Sequence, residues 1–243
     1  MPKTDFALEF KETIQNKDGL PVIIVAAGSS SRMKGQDKLL APIGGIPVIA
    51  RTLRAFENCP LISEITVVTR AEKKADISLI AEKYAISKLK QVVEGGSCRE
   101  ESVKNGVLLY KGREDKVLIH DAARPFITGK VIENVVSALR TQDSVTCATM
   151  VKDTVKTVDE NGVVVSTLDR SRLVAVQTPQ GVNVSKFLEI TESAEDLSGF
   201  TDDTAVMESA GITTKIVEGD YNNIKLTTPE DMIVAGALIE KEW

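Results

Sequence analysis

Short runs of β-branched and aliphatic residues alternate along this chain with longer stretches whose apolar positions recur at three- and four-residue spacing. Val22 to Val25 form a continuous apolar run with no polar face to offer water, which predicts a strand buried on both sides. Beyond it the pattern predicts a helix from Pro47 through about Phe56, a strand over Glu64 to Thr69, a helix over Glu72 to Tyr84 and a strand over Leu89 to Val93. A helix at Arg99 to Leu109, a strand at Lys116 to Ile119, a helix at Gly129 to Leu139 and a strand at Val145 to Met150 continue the series. Strands and helices in this alternation are βαβ units, so the expected fold class is α/β, with a mostly parallel sheet flanked by helices.

The rhythm breaks at residue 151. DTVKTV and VVVSTL are β-rich, and Asp159-Glu160-Asn161-Gly162 joins them without a helix; Asn-Gly is a strong hairpin signal. A protruding β-hairpin arm is therefore expected at about 151–177, its exposed edges and Val163 to Val165 calling for cover by a second subunit. VQTPQG, residues 176–181, reads as a strand ending in a turn. Helices return at Ser185 to Thr191, Thr201 to Ala210 and Thr228 to Glu240, the last opened by Thr228 as N-cap and Pro229 in the first turn. In the N-terminal extension, residues 1–20, the spacing of Phe6, Phe10 and Ile14 predicts a short amphipathic helix. No repeat or low-complexity linker divides the remainder, so residues 21–243 are expected to be a single domain carrying the arm.

Charge narrows the partners. A net charge of −5 offers no basic field to a nucleic-acid backbone, so no nucleic-acid partner is expected and a phosphate site must be a local basic pocket for a small anion. Cys59, Cys98 and Cys147 are far apart and fit neither a zinc site nor a disulfide framework. No apolar run of about eighteen residues predicts a membrane span, and the first twenty residues lack the apolar core of a signal peptide, so a cytoplasmic protein is expected.

The candidate chemistry starts in AAGSSSRMKGQDK, residues 26–38, directly after the first strand. Small residues there let backbone N–H groups approach phosphate oxygens at the carboxyl end of a strand, and Arg32 and Lys38 add charge. The loop is neither a GxxxxGK[ST] P-loop nor a GxGxxG fingerprint. EGGSCREESV, residues 94–103, opens a helix with two glycines and brings Arg99 and Ser102. HDAARPF, residues 120–126, places Asp121 and Arg124 at a strand end, where a carboxylate can bind ribose hydroxyls or help hold a divalent ion. Thr178 is available to bond phosphate, and Lys225 precedes the last helix. His120, the sole histidine, is read as a structural residue.

Taken in order, AAGSSSRM, EGGxxRxxSV, HDAARPF, DTVK, DR, TPQ, TDDTAVME and NIKLTTPED resemble the 2-C-methyl-D-erythritol 4-phosphate cytidylyltransferase family of the non-mevalonate isoprenoid pathway, across residues 22–240. The resemblance implies a Rossmann-like domain, a β-arm that interlocks a homodimer, CTP and a polyol phosphate as substrates, Mg²⁺ or another divalent cation as cofactor, and release of pyrophosphate. By position, Arg32 and Lys38 match the cations that grip the triphosphate, and Lys225 matches the lysine that stabilises the α-phosphate; these three are the expected catalytic set. Gly96, Ser102 and Asp121 match cytosine and ribose contacts, with Ala26, Ala27, Gly28, Gly95, Arg99 and Ala122 completing the expected nucleotide site. Asp121, Arg124, Thr154, Arg170 and Thr178 match the methylerythritol-phosphate side, Thr154 and Arg170 serving the neighbouring subunit. The metal's ligands stay open.

Three positions depart from the family: Ser30 for glycine, Asp37 for proline, and Ser97 for an acidic residue that often helps read the base. A ribitol-5-phosphate cytidylyltransferase shares most of the motifs, and the second alanine of HDAARP favours methylerythritol phosphate. A molybdopterin-type nucleotidyltransferase would match AAGSSSRM followed by KLL, but not the later motifs together. A nucleotide-binding regulator without turnover would not need Lys38 and Lys225. A phosphate monoester is already an ionised nucleophile, so the lack of a Ser/His/Asp or Cys/His arrangement suits the expected transfer.

Overall fold

The computed structural model describes residues 19–28, 37–194 and 196–240. The expected helix around Phe6 to Ile14 lies outside these residues, as do Ser30 and Arg32.

At the centre runs β1 (Leu20–Val25), paired in parallel with β4 (Ile62–Thr69) on one side and β6 (Lys116–Asp121) on the other. β5 (Leu89–Glu94) extends the sheet beyond β4. Past β6 lie β10 (Val174–Asn183), β7 (Ser144–Met150) and β11 (Lys215–Glu218), giving the order β11-β7-β10-β6-β1-β4-β5. β10 alone is antiparallel, to both β6 and β7, so the sheet is Rossmann-like and mostly parallel as expected.

Side-chain alternation builds a core on each face. Val22 and Ile24 of β1 and Leu118 of β6 turn to one side, where α1 (Val48–Glu57), α2 (Lys74–Lys83), α4 (Gly129–Leu139) and α7 (Pro229–Glu240) supply Ile49, Phe56, Ile77, Val135 and Ala235. Ile23, Val117 and Ile119 turn to the other, meeting Val103 and Val107 of α3 (Arg99–Leu108), Phe187 of α5 (Val184–Ser193) and Met207 of α6 (Asp203–Ser209). Each fully buried aliphatic side chain contributes about 1.5–3 kcal/mol relative to exposure. With both faces covered, the strand ends and their loops are the places left for chemistry.

Several expectations need correction. A small hairpin of β2 (Pro42–Ile43) and β3 (Ile46–Pro47) precedes α1, so Pro47 ends a strand and the helix begins at Val48. The turn expected within 176–181 is instead a bulge inside the continuous strand β10: the ladder to β7 skips from Val176 to Gln180, which lets Pro179 sit in a central strand without a ladder hydrogen bond. β11 was not anticipated, because Lys215 and Glu218 leave only two apolar residues for a periodicity to show.

The arm leaves the sheet after Met150 and returns at Val174, two residues that pair with each other. Its tip is a separate two-stranded sheet of β8 (Lys156–Val158) and β9 (Val164–Thr167). The connection is built on Asp159, whose Oδ1 accepts from Asn161 N and Val163 N, each at 2.9 Å, while Gly162 takes φ +78°. Val163, Val164 and Val165 are 61%, 51% and 67% exposed.

Candidate active site

β1 leads outward to β4 in one direction and β6 in the other, and the loops that follow these strands part around a cleft of about 380 Å³. Backbone bonds pin the loops to the sheet: Ala26 N donates to Val68 O at 2.7 Å, Gly95 N to Thr69 O at 2.8 Å and Ala122 N to Val25 O at 3.0 Å. Ala26, Ala27, Gly28, Lys38, Gly96, Arg99, Ser102, Asp121 and Lys225 all line this cleft, so residues spread over two hundred positions meet in one place.

Asp121, the last residue of β6, is the centre of charge. Lys225 Nζ donates to its Oδ2 at 2.7 Å, Arg99 Nε to its Oδ1 at 3.4 Å, and Arg124 Nε lies 3.8 Å from Oδ2. Burial alone would raise its pKa, but Arg99, Lys225 and Arg124 outweigh burial and hold the carboxyl well below the usual carboxylate range. Arg99 in turn forms a two-bond fork with Asp203, at 2.8 and 2.9 Å. Burial opposes the guanidinium's charge, and Asp203 with Asp121 reverses that effect and keeps Arg99 protonated.

Behind Asp121 the polar groups are spoken for. Thr178 is buried; its Oγ1 accepts from Asp121 N at 3.1 Å and lies 3.1 Å from His120 Nδ1. His120 Nε2 is 3.2 Å from Arg124 O, which only accepts, so Nε2 carries the proton and Nδ1 accepts from the Thr178 hydroxyl. Burial pushes the imidazole down to about 3, against the pull of Asp121. The hydroxyl expected to meet phosphate thus holds the Asp121 loop from within. Ala122 is likewise fully buried, its carbonyl accepting from Thr52 Oγ1 at 2.8 Å, and Ala123 lines the cleft in its place.

The glycines of the 94–103 segment are required by the protein's own packing. A Cβ on Gly95 would stand 2.6 Å from Ser102 Oγ, and one on Gly96 would strike the Glu101 side chain. Ser102 Oγ accepts from Gly96 N at 3.0 Å and donates to Cys98 O at 2.8 Å, which fixes the turn ahead of α3. Asp37, ahead of Lys38, accepts from Leu39 N at 3.0 Å and lies 3.5 and 3.4 Å from Arg70 and Lys73. The arm residues Thr154 and Arg170 are exposed and do not line the cleft; Arg170 Nη1 donates to Lys152 O at 2.7 Å.

Comparison with known proteins matches the sequence and the fold. The family model described as 2-C-methyl-D-erythritol 4-phosphate cytidylyltransferase aligns to residues 20–241. The chain belongs to that family. The family's Bacillus cereus enzyme is 44% identical over 220 residues, covering 90% of this chain and 96% of the relative. A Clostridium botulinum member is 40% identical over 222 residues, covering 90% and 97%. Among solved structures, 4-diphosphocytidyl-2C-methyl-D-erythritol synthase from Anaerococcus prevotii superposes with a TM-score of 0.81 at 32% identity, over 92% of this chain and 96% of that one. The Thermus thermophilus cytidylyltransferase gives 0.74 at 26% identity, over 91% and 99%.

Within the cytidylyltransferase frame, three supporting residues escaped the sequence reading. Asp203 was visible only as part of the TDDTAVME motif, where an acid in the first turn of a helix passes for a dipole-favoured surface charge. Gln180, on β10, accepts from Asp203 N at 2.8 Å and Thr204 N at 3.2 Å and so seats the start of α6 beside Arg99. Asn223 orients Arg124, its backbone oxygen accepting from Nη1 at 2.7 Å.

Proposed function

We propose that this cleft is where the chain carries out the cytidylyl transfer of its family: CTP and 2-C-methyl-D-erythritol 4-phosphate become 4-diphosphocytidyl-2-C-methyl-D-erythritol and pyrophosphate, a step of isoprenoid precursor biosynthesis. The observation that carries the assignment is the meeting of Lys38, Lys225 and the Arg99–Asp121 pair around one small cleft in an acidic protein.

In the reaction an oxygen of the methylerythritol phosphate bonds to the α-phosphorus of CTP, and the bond from that phosphorus to the β-bridging oxygen breaks, its electron pair leaving with pyrophosphate. The nucleophile is ionised beforehand, so no side chain has to remove a proton. What the protein must overcome is the meeting of two anions. Lys225, tethered by Asp121, and Lys38 are proposed to hold the α-phosphoryl oxygens, with Arg32, by the family resemblance, as a further cation for the triphosphate; fixed cations in place before the reaction need no reorganisation during it. Gly96 and Ser102 are proposed to face the nucleoside, and Arg124 the acceptor's phosphate.

A divalent ion fits this donor set in one manner only. Among the described residues no three His, Cys, Asp or Glu side chains gather as ligands, and Asp203 spends both oxygens on Arg99. Among the described residues that line the cleft, Asp121 is the one carboxylate that could join, which suits Mg²⁺ held chiefly by the nucleotide's phosphates. Such an ion would neutralise charge on the phosphates.

We further propose a homodimer in which each arm brings Thr154 and Arg170 to the partner's cleft, supported by their exposure and by the uncovered valines at the tip. The reaction's use of CTP supports the expected cytoplasmic setting. The test is pyrophosphate release from CTP with 2-C-methyl-D-erythritol 4-phosphate or ribitol 5-phosphate as acceptor. Release with the first is expected; release only with ribitol 5-phosphate, or with neither, would overturn the assignment.

A further inference from the structure

Gly96 and Ser97 form a stretch of cleft wall without a cation, whereas Lys38, Arg99 and Lys225 mark the walls around it. An uncharged part of the nucleotide, the base, suits this stretch better than a phosphate does. The Ser97 side chain is held from outside the cleft: its N–H and its hydroxyl both donate to Glu101 Oε2, each at 2.8 Å. Glu101 lies in the first turn of α3, where its N–H donates to Cys98 Sγ at 3.5 Å and its side chain packs over Gly96 so closely that no Cβ fits there. The carboxylate therefore closes the helix start in the manner of a shifted capping box.

An ionised carboxylate can only accept. The Ser97 hydrogen bonds lower the pKa of Glu101, so it is charged at neutral pH and the hydroxyl proton is turned toward it. Ser97 Oγ then offers lone pairs, and no proton, to the cleft that it lines. We propose that Glu101 is a positioning residue for nucleotide selection: by taking the Ser97 proton it makes Oγ an acceptor, which favours a base edge carrying an amino donor over one carrying a carbonyl. The inference rests on the reading that the base of CTP lies against this turn.

The experiment measures kcat/KM for CTP and for UTP in the full-length enzyme and in Ser97→Ala and Glu101→Ala, with melting temperature alongside. Ser97→Ala keeps the backbone bond to Glu101, so the cap survives; CTP should fall about tenfold, the scale of one lost hydrogen bond, with UTP unchanged. Glu101→Ala removes the oxygen that takes the Ser97 proton, so the hydroxyl is free to turn and meet a carbonyl; a glutamine would not serve, because its amide oxygen would still accept from both Ser97 donors. CTP should then fall and UTP rise, a divergence that simple loss of a helix cap would not produce. A wild-type CTP:UTP ratio in Ser97→Ala, or equal losses for both nucleotides in a folded Glu101→Ala, would overturn the inference while leaving the cytidylyl transfer intact. Should Glu101→Ala fail to fold, Ser97→Ala decides alone. A wild-type enzyme that turns over neither nucleotide would overturn the functional reading and this inference with it.

Discussion

The cleft and the arm are built on opposite terms. Around Asp121 the charged groups are paired within one chain: Lys225, Arg99 and Arg124 gather at its carboxylate, and Asp203 holds Arg99. On the arm, Val163 to Val165 stand in solvent and the Arg170 guanidinium donates to the backbone of Lys152. A buried ion network is costly unless every member is paired, so it has to be complete before substrate arrives. An exposed apolar hairpin becomes stable and useful when something covers it. The difference teaches that nucleotide binding can be prepared by a single chain, while turnover is expected to depend on assembly.

The hardest blow to the cleft is Asp203→Ala, which removes a fully buried partner and leaves the half-buried Arg99 guanidinium without its fork. A stability loss of about 3–5 kcal/mol is expected by denaturant unfolding. Arg170→Ala, on the arm, should stay close to wild type in the same measurement, and equal losses would erase the contrast. Next, Lys225→Ala should lower turnover about 10²–10³-fold with a much smaller loss of stability than Asp203→Ala, since Arg99 and Arg124 still pair Asp121. A folded variant with near-normal turnover would remove Lys225 from the mechanism.

Paired charges at Val163→Asp and Val165→Asp address the arm. Monomers by light scattering, CTP binding retained and turnover reduced about 10²-fold would fit a misplaced trans contribution. Full activity in a monomer would place the whole site in one chain. Mixing Arg170→Ala with Lys38→Ala subunits sharpens this, because a site shared between chains regains activity in the mixed dimer and a self-contained one does not. The smallest effect belongs to Thr178→Val. It orphans Asp121 N–H and His120 Nδ1 and should cost about 1–3 kcal/mol, with Thr178→Ser restoring stability. An unchanged stability with a raised KM would make Thr178 a substrate contact after all.

The alternating strands and helices were legible because both faces of the sheet are covered, which writes period and run length directly into the sequence; Gly129 to Leu139 matches to the residue. The loops of the cleft were legible through the family motifs, and Lys38, Gly96, Ser102, Asp121 and Lys225 do converge. What lay hidden depends on distance in sequence. Nothing local reports that Thr178 faces inward or that Asp203 meets Arg99 across about a hundred residues, because burial of a polar side chain is decided by partners brought in by the fold. β11 was hidden for another reason: an edge strand with charged ends carries too short a pattern.

His120 has a consequence for how the enzyme is assayed. With the imidazole held neutral down to about pH 3, Asp121 ionised and Arg99 protonated, these groups keep a constant charge through the range where most enzymes reveal their catalytic residues. A rate that climbs through about pH 6 would then be a titration of the acceptor, since a phosphate monoester sheds its second proton there. The inflection should move when the acceptor's phosphate is made more or less acidic and stay in place when His120 is replaced, so the curve describes the reactant and not the catalyst.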